Sequence, residues 1–365
     1  MYDGRDLDSL DRTMKPIPAS GYCFVEPGHP LEKKDFEISV VQAYEVVVKV
    51  AGCGLCHTDL SFYTGQVTPH QKPVILGHEI SGEVVAAGTE MGSMLGRQVI
   101  VPAVLPCGDC QLCKIGRDNI CQHQKMPGND FNGGFSTHLT VPGRFLCPLP
   151  EDLGNFQVFQ LSVIADAVTT PYQALLRSHL QAGDLAIVIG VGGIGNYMAQ
   201  HCVNAGAKVV ALDVDPRKLQ TAEKMGTHFT LNVAGLADSE IRKAVRSLVK
   251  EKGLPTVGWR VFETSGTAAG QAAAFALLSF AGTLGYVGFT MEKISVRLSN
   301  LMAFDADAFG NWGCRPEYYG PVLKEVLSGK INLRDNIEQR PLDTINEVLS
   351  QALDHQLEKR VIFVP

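Results

Sequence analysis

The chain has 365 residues, of which 45% are hydrophobic and 19% charged, and its formal net charge is −6. Such values are ordinary for a globular protein, and the length allows two domains with separate cores. The acidic balance, without a block of Lys or Arg, argues against nucleic acid or an anionic membrane as the main partner. The first residues lack an apolar signal segment and no run approaches the ~18 apolar residues of a membrane span, so we expect a cytoplasmic protein.

The first ~150 residues contain short β-type runs separated by turn residues, a pattern typical of an irregular antiparallel β domain that carries functional loops. The predicted strands are Glu45–Val50, Ile80–Val85, Gln98–Val101 and Phe135–Val141. Between the first two of them, residues 53–62 are predicted to turn into a short helix, with Phe62 and Tyr63 facing a cleft.

The run Cys56–Asp59 places a thiol, an imidazole, a hydroxyl and a carboxylate side by side, and Gly77–Glu79 brings a second imidazole. A thiolate and an imidazole are ligands that Zn²⁺ prefers, and a catalytic site needs a third protein ligand and one open position. We expect Asp59 and Glu79 to orient a ligating imidazole or to balance charge. Taken alone, Cys56 is also compatible with a small buried hydrophobe.

A second group of candidate ligands is a run of four cysteines with the spacing C-x2-C-x2-C-x7-C, formed by Cys107, Cys110, Cys113 and Cys121. Four thiolates so close in sequence predict a closed tetrahedral zinc site, which has no room for substrate and serves to hold a lobe together. An iron–sulfur cluster is the alternative, but ferredoxin-type runs space their later cysteines differently. Clustered cysteines without a secretion signal indicate metal rather than disulfides.

The apolar run Ser162–Leu175 contains a single acidic residue, Asp166. A buried carboxylate is costly unless it is paired or bound to a metal. Two readings remain open from the residues alone. Asp166 either caps a predicted helix over Thr169–Leu176, or it is the third ligand of the zinc held by Cys56 and His78.

The stretch after residue 184 predicts a dinucleotide-binding unit. An apolar strand, Leu185–Ile189, runs into a Gly-x-Gly-x-x-Gly turn and then a helix, and a second strand ends in Asp213, 18 residues after Gly195. The glycines admit a pyrophosphate to the helix N-terminus and the acid binds ribose hydroxyls, which favours NAD over NADP. A glycine-rich turn in another α/β fold is the alternative. The predicted cofactor contacts are Gly190, Gly192, Gly193, Ile194, Gly195, Asp213, Lys218 and Val287.

Further alternation of strands and helices predicts a doubly wound parallel sheet. Its later elements are strands at Gly226–Leu231, Trp259–Thr264 and Gly282–Gly288, the last ending near the nicotinamide, and helices at Ser239–Lys250 and Gln271–Phe280. Helices at Pro321–Gly329 and Leu342–Leu357 are predicted to return to the first domain. The division is therefore 1–172 with 311–365 for the catalytic domain and 173–310 for the NAD-binding Rossmann domain.

Taken together, these motifs occur in the order and spacing of the zinc-dependent medium-chain alcohol dehydrogenases, which the chain resembles over nearly its whole length. The resemblance implies an α/β protein with a GroES-like catalytic domain, NAD as cofactor and two Zn²⁺ per chain. It implies that Cys56, His78 and Asp166 hold the catalytic zinc and the four-cysteine run the structural one. It also places His57 beside the cofactor phosphates and makes Thr58 the group that passes on the hydroxyl proton.

One position departs from the family pattern. Many relatives carry a histidine five residues after the cysteine ligand to end the proton relay, and this chain has Ser61 there. The relay is then expected to end through His57, Ser61 or a water molecule.

A closer resemblance lies in three segments, Cys121–Asn129, Ala165–Ala174 and Arg297–Trp312, which look like members that oxidise alcohols carried as coenzyme A thioesters. It implies a small-molecule substrate of that class, and we also expect a homo-oligomer. A general dehydrogenase of free alcohols and a non-catalytic NAD- or zinc-binding protein are the alternatives, although intact ligands together with Thr58 argue against the second. The sequence shows no cationic cluster for coenzyme A, and Lys125, Arg144, Arg297 and Arg315 are more typical of surface charges.

Overall fold

A computed structural model describes residues 12–365. The described chain forms two compact units: the first comprises residues 12–166 with Cys314–Leu327 and Leu333–Pro365, and the second comprises Ala167–Gly313 with Ser328–Asn332. The sequence-based boundaries after residues 172 and 310 lie within a few residues of this division. The short segment 328–332 of the second unit has no counterpart in the sequence-based division. Within residues 12–365, no helix combines the length and hydropathy that crossing a membrane requires.

The strands of the described chain come in the following order. They are β1 Arg12–Phe24, β2 Glu32–Val41, β3 Glu45–Gly54, β4 Val74–Ile75, β5 Glu79–Ala87, β6 Gln98–Val101, β7 His138–Pro142, β8 Cys147–Pro148, β9 Leu185–Ile189, β10 Lys208–Asp213, β11 Phe229–Asn232, β12 Arg260–Glu263, β13 Thr283–Tyr286, β14 Asp307–Gly310, β15 Ile337–Pro341 and β16 Arg360–Val364.

The α-helices of the same residues are α1 His57–Tyr63, α2 Gln111–Lys114, α3 Thr169–Arg177, α4 Gly193–Asn204, α5 Pro216–Lys224, α6 Asp238–Lys252, α7 Ala268–Ala276, α8 Ser299–Phe304, α9 Tyr319–Leu327 and α10 Ile345–Leu353. Short 3₁₀-helices lie at Thr89–Met94, Asp118–Ile120, Val158–Ala165, Pro316–Tyr318, Arg334–Asn336 and Leu342–Thr344.

The first unit is built on a seven-stranded sheet of order β15-β16-β3-β5-β6-β8, with β7 also paired to β3, and a three-stranded sheet of order β2-β1-β4. Apart from the parallel pair β15–β16, the pairs are antiparallel. Val46 and Val48 of β3 lie fully buried in the core, where Phe135 and Phe363 meet edge to face at 5.3 Å. Branched and aromatic side chains of this kind pack well on a pleated surface.

The long first hairpin, β1 with β2, is absent from the sequence-based prediction. Pro16 and Pro18 in β1 indicate a loop by pattern, because proline cannot donate a ladder hydrogen bond. Pro16 lies in an irregularity of the β1–β2 register between Thr13 and Ile17, and Pro18 lies opposite Glu37 of β2. The other neighbour of β1 in this sheet, β4, pairs with it at Cys23 and Phe24.

The short helix α1 corrects one expectation. Phe62 does not face a cleft: its side chain is 5% exposed in the core of the first unit, and Tyr63 packs against the same core. Because one face of this seven-residue helix must cover the sheet, its large aromatic side chains face inward.

The second unit is a six-stranded sheet of order β11-β10-β9-β12-β13-β14 in which neighbouring strands pair in parallel. All five residues of β9 are buried, as expected for a central strand covered on both faces. The predicted fold class, a Rossmann sheet with an irregular β domain, is confirmed. Two helix ends differ: α7 stops at Ala276, which leaves Phe280 59% exposed, and α10 covers only part of the predicted 342–357.

Candidate metal centre and cofactor site

Three segments of the first unit bring a thiol, an imidazole and a carboxylate together. Cys56 is the N-cap of α1, His78 directly precedes β5, and Asp166 follows the 3₁₀-helix Val158–Ala165. Oδ2 of Asp166 lies 3.7 Å from Sγ of Cys56 and 3.7 Å from Nε2 of His78. One ligand atom from each of these residues and from Glu79 lies within 4.8 Å of the others.

The chemistry of this group fits a zinc ion. His78 is 1% exposed, and its buried Nε2 has no hydrogen-bond partner among the described residues. A buried polar atom left unpaired costs about 1–3 kcal/mol, so binding of this nitrogen to a metal ion would remove an unfavourable term. Thiolate, imidazole and carboxylate are zinc donors, and three of them leave a fourth position open.

Asp59 organises the ligands around the site. Its two carboxylate oxygens accept hydrogen bonds from the backbone N–H of Gly77, at 3.1 Å, and of Cys56, at 3.0 Å. Oδ1 also lies 3.6 Å from Nδ1 of His78. Burial alone would lower the pKa of His78, but the charges of Asp59 and Cys56 outweigh it and raise that pKa well above its ordinary value. Asp59 therefore fixes the ring so that Nε2 faces the ligand cluster.

Glu79 is held by an arginine far away in sequence. Arg360 of β16 approaches it with Nη1 at 3.2 Å from Oε1, and both side chains are largely buried. Burial raises the pKa of Glu79 to about 7, against the opposing charge of Arg360. Sequence reasoning did not identify Arg360, because 281 residues separate the partners and no local pattern links them.

The residues predicted to move a proton lie on α1. Oγ1 of Thr58 is 3.8 Å from Sγ of Cys56, beside the ligand cluster. The His57 side chain is partly exposed, and burial together with nearby His355 lowers its pKa. The Ser61 hydroxyl donates to the carbonyl of His57 at 3.1 Å, so its proton is used within the helix. Of these residues, Ser61 is buried and His57 is exposed.

The alternative role of Asp166 as a helix cap does not hold. The N-cap of α3 is Val168, and no side chain bonds to the helix there. The carboxylate instead points at Cys56 and His78.

The four-cysteine run forms a separate, closed cluster in the same unit. Sulfur–sulfur distances are 3.5 Å for Cys110–Cys113 and Cys107–Cys121, 3.7 Å for Cys110–Cys121 and 3.9 Å for Cys107–Cys113. A tetrahedron with metal–sulfur bonds of about 2.3 Å has edges of about 3.8 Å, so the cluster has the dimensions of a zinc site.

The backbone around this cluster favours thiolates. N–H groups of Cys107 and His123 donate to Sγ of Cys121, both at 3.3 Å. Backbone donors and neighbouring thiols lower the pKa of Cys110 to about 6, whereas burial and the adjacent thiols raise that of Cys113 to about 12. Thiol ligands must lose their protons to bind a metal, so a divalent cation at this cluster would favour ionisation of all four cysteines.

Two arginines hold the lobe that carries this cluster. Nε of Arg315 lies 2.7 Å from Oδ1 of Asp118, and Nη1 of Arg144 donates to the carbonyl of Cys107 at 3.2 Å. The glycines at 108 and 116 have positive φ and each lies against one of these guanidinium groups. Both side chains thus support the lobe rather than standing free on the surface.

The glycine-rich turn of the second unit joins β9 to α4. Gly190 has φ +82°, and a Cβ on Gly195 would lie 1.8 Å from the carbonyl oxygen of Gly190, so both positions require glycine. A Cβ on Gly192 would meet only Nζ of Lys218, at 3.9 Å. Gly193 and Ile194 form the first turn of α4. The turn is open on one side, with a cation close by, as a bound pyrophosphate requires.

Asp213 lies at the end of β10, against this turn. Its Oδ2 accepts the backbone N–H of Val191 at 2.8 Å and its Oδ1 that of Asp215 at 2.9 Å. Each oxygen keeps a further lone pair, so the anchored carboxylate can accept two ribose hydroxyls. Val287 follows β13, where its backbone N–H donates to the carbonyl of Glu263 at 2.9 Å.

Two family models match the chain. One, described as alcohol dehydrogenase GroES-like domain, matches residues 42–151, and the other, described as zinc-binding dehydrogenase, matches residues 193–328. The first match contains the four-cysteine run, Cys56 and His78, and the second begins within the glycine-rich turn, at Gly193.

Similar proteins extend over nearly the full chain. An alcohol dehydrogenase of Geobacillus stearothermophilus is 27% identical over 339 residues, covering 91% of this chain and 96% of that protein. The sorbitol dehydrogenase of Bacillus subtilis is 26% identical over 322 residues, covering 86% and 88%. The solved alcohol dehydrogenase of Aeropyrum pernix has a TM-score of 0.85 at 25% identity and covers 95% of this chain and 100% of its own.

Proposed function

We propose that this chain, which belongs to the zinc-dependent medium-chain alcohol dehydrogenase family, oxidises a secondary alcohol to a ketone by hydride transfer to NAD⁺. It is an NAD-dependent zinc alcohol dehydrogenase. The observation that carries the proposed reaction is the cluster of Cys56, His78 and Asp166, with Nε2 of the histidine buried and unpaired. Such a cluster suits a zinc ion with one position left for an alcohol oxygen.

The proposed mechanism assigns a task to each residue. When bound, zinc lowers the pKa of an alcohol as it does that of water, and NAD⁺ accepts the hydride. Thr58 accepts the hydroxyl proton and passes it toward the partly exposed His57. Asp59 keeps the imidazole of His78 oriented while this occurs. In the second unit, the glycine-rich turn holds the pyrophosphate and Asp213 holds the ribose.

The proposed substrate is 6-hydroxycyclohex-1-ene-1-carbonyl-CoA, which would become the 6-oxo compound in anaerobic benzoyl-CoA degradation. Its support is the resemblance of Cys121–Asn129, Ala165–Ala174 and Arg297–Trp312 to the dehydrogenase of that compound. Oxidation places the new ketone in conjugation with the ring alkene and thioester. A dehydrogenase of free alcohols or polyols is the second candidate, favoured by the names of the Geobacillus and Bacillus relatives.

A turnover comparison tests the substrate. The purified protein is incubated with NAD⁺ and a panel of secondary alcohols, free or as coenzyme A thioesters, and the absorbance of reduced nicotinamide is followed. We expect kcat/KM for the cyclic acyl-CoA alcohol to exceed that for the matching free acid by about 100-fold or more, since remote binding energy from coenzyme A contributes to the reaction. Equal or faster turnover of free alcohols would refute the acyl-CoA proposal and favour the second candidate.

A homo-oligomer is also proposed, and one edge of the second unit supports it. β14 ends the six-stranded sheet, so one side of it has no strand partner among the described residues. Nearby apolar side chains are exposed, with Leu298 at 68%, Met302 at 80% and Trp312 at 50%. Sedimentation velocity of the native chain and of Met302→Asp tests this, because a charge at a subunit contact shifts the protein toward monomer. A native chain that sediments as a monomer would contradict the proposal.

The proposed location is the cytoplasm. All ten cysteines are free thiols, and six of them lie in the two candidate metal sites or, for Cys53, in the run that leads into the Cys56 site. A reducing compartment keeps such ligands available for metal.

A further inference from the structure

Glu263 shapes a turn at the carboxyl end of the central sheet in the second unit. It is the last residue of β12 and is fully buried. Its Oε1 accepts three hydrogen bonds, from the backbone N–H of Ser265 at 2.8 Å, the hydroxyl of Ser265 at 2.5 Å and the backbone N–H of Gly266 at 3.2 Å. One carboxylate oxygen therefore determines the conformation of the Ser265–Gly266 turn.

The other oxygen of Glu263 makes this arrangement costly. Oε2 is buried and has no hydrogen-bond partner among the described residues. Burial raises the pKa of this carboxyl, which the donors from Ser265 and Gly266 oppose. The carboxyl also acts on the phenol of Tyr286 on β13: burial and the charge of Glu263 raise the pKa of that phenol to about 12. A buried carboxylate with one unpaired oxygen costs folding free energy. We therefore look for a functional role of the Ser265–Gly266 turn that this carboxylate holds.

On one side, the Ser265–Gly266 turn is in close contact with the glycine-rich turn at Gly190. A Cβ on Gly190 would lie 2.6 Å from both Cα and Cβ of Ser265. Thr264, just before the turn, donates from its hydroxyl to the carbonyl of Gly190 at 2.7 Å. This contact is largely between backbone atoms. A shift of the Ser265–Gly266 turn would therefore move the glycine-rich turn, because no flexible side chain lies between them.

On the other side, the same turn fixes the end of β13. The backbone N–H of Gly288 donates to the carbonyl of Glu263 at 3.0 Å. A Cβ on Gly288 would lie 2.3 Å from the backbone N of Gly266 and 2.7 Å from Oε2 of Glu263. The carboxylate of Glu263 and the two turn residues Ser265 and Gly266 therefore connect the carboxyl ends of β9, β12 and β13. Ligands of parallel α/β sheets bind at such ends.

We propose that Glu263 is a positioning residue for the cofactor, holding the Ser265–Gly266 turn as a spacer between the glycine-rich turn at Gly190 and the Val287–Gly288 segment. The inference rests on the proposed cofactor role of those two segments. Glu263 touches neither substrate nor cofactor in this role. Glu263 instead sets the distance between the glycine-rich turn, proposed to hold the pyrophosphate, and the Val287–Gly288 segment, expected beside the nicotinamide.

The test compares Glu263→Ala, Glu263→Asp and Glu263→Gln with the native enzyme. Gln keeps an oxygen that can accept the three hydrogen bonds, whereas Asp withdraws its oxygens by one methylene. Because a misplacement of 1 Å costs about 100-fold in a preorganised site, we expect Ala and Asp to weaken NADH binding by roughly 10-fold or more and Gln by less than about threefold. NADH binding is read by fluorescence, and KM is measured separately for NAD⁺ and for the alcohol that the native enzyme turns over best.

A matched control separates positioning from general stability. Val261→Ala removes a buried side chain from the same strand, away from the turn. It should lower the melting temperature while leaving NADH binding unchanged, and the KM for alcohol should stay constant in all variants. Native affinity in a folded Glu263→Ala or Glu263→Asp, a Gln variant as weak as Ala, or equal weakening by Val261→Ala would each overturn the inference. Failure of the native chain to bind NADH would instead overturn the proposed cofactor site.

Discussion

The two candidate metal sites of the first unit differ in almost every respect. In the four-cysteine lobe, all donors are sulfurs within 14 residues of one another, and several of these side chains are partly exposed. In the Cys56 cluster, the donors are of three chemical types, come from segments up to 110 residues apart and are largely buried. A closed metal site can thus be formed by one short segment of the chain. A site that leaves one metal position free takes its ligands from several distant segments, which the fold of the whole domain must hold in place.

The supporting interactions follow the same division. Backbone N–H groups inside the lobe donate to its own sulfurs, and two arginines attach it to the rest of the unit. At the other cluster, Asp59 and Arg360 act on His78 and Glu79 from separate elements. Removing a ligand from the lobe should therefore affect folding, while removing one from the other cluster should affect chemistry.

The largest expected effect is on the lobe, through Cys110→Ser. A structural zinc contributes on the order of 10 kcal/mol of folding free energy in small zinc domains, so the segment 107–121 should lose its fold. Metal analysis should find about one zinc per chain fewer, and limited proteolysis should cut within the lobe. Cys147→Ser, a thiol outside both clusters, serves as the control and should change neither result. A protease-resistant Cys110→Ser with a full zinc complement would contradict the assignment.

The next effect is catalytic. Cys56→Ser or Asp166→Asn should lower kcat/KM by about 1,000-fold or more, because several kcal/mol of charge stabilisation by the metal are lost. Circular dichroism and melting temperature should remain close to those of the native chain. Glu83→Gln, at an exposed position of β5, provides a matched control with unchanged activity. Native turnover after loss of zinc from this cluster would refute its role.

A smaller effect should follow from Asp59→Asn. The two oxygens of Asp59 accept different N–H groups, and an amide must turn its NH₂ toward one of them. Loss of such a supporting contact typically costs about 10- to 100-fold in metal affinity or activity. Competition with a chelator should show weakened binding of one zinc per chain while the lobe zinc is unaffected. Equal weakening of both zinc sites would show that the two clusters are not independent.

The smallest effect concerns the attachment of the lobe. Arg315→Met removes a partly buried ion pair with Asp118 and should lower stability by about 1 kcal/mol, or the melting temperature by about 3 °C. Arg144→Met, at a more exposed arginine, should change the melting temperature by well under half that amount. Differential scanning calorimetry of the zinc-loaded proteins measures both. A larger loss for Arg144→Met would reverse the order of the two contacts.

The sequence predicts most where contacts are local. The spacing of the four cysteines, the glycine-rich turn and Asp213 are short patterns with direct physical meaning, and the structure brings the members of each together. Their roles in binding zinc and NAD stay predictions. The Rossmann strands were predictable for the same reason, since each is a continuous apolar run bounded by turn residues.

Contacts between distant segments escape sequence reasoning. A buried acid in an apolar run pointed to Asp166, but a helix cap remained an alternative, and only the structure shows Cys56 and His78 beside its carboxylate. Nothing near Arg360 indicates Glu79 as its partner. Glu263 left a weak signal, an acid near the end of the predicted strand Trp259–Thr264, and only the geometry of the Ser265 turn gives that acid a role. The strand β1 was not predicted because it contains prolines, which are rare inside strands. Which positions of β1 tolerate proline depends on its pairing with β2, and the sequence does not show that pairing.

The bond between Arg360 and Glu79 has a consequence for how the protein is made. During translation, the ribosome delivers the cysteine, histidine and aspartate of the first cluster well before it delivers the guanidinium that neutralises Glu79, 281 residues later. Until β16 has inserted beside β3, a nascent chain carries an uncompensated carboxylate next to its prospective catalytic ligands. Maturation of the enzyme should therefore be a late event in biosynthesis, and zinc acquired earlier should occupy the self-contained cysteine lobe first.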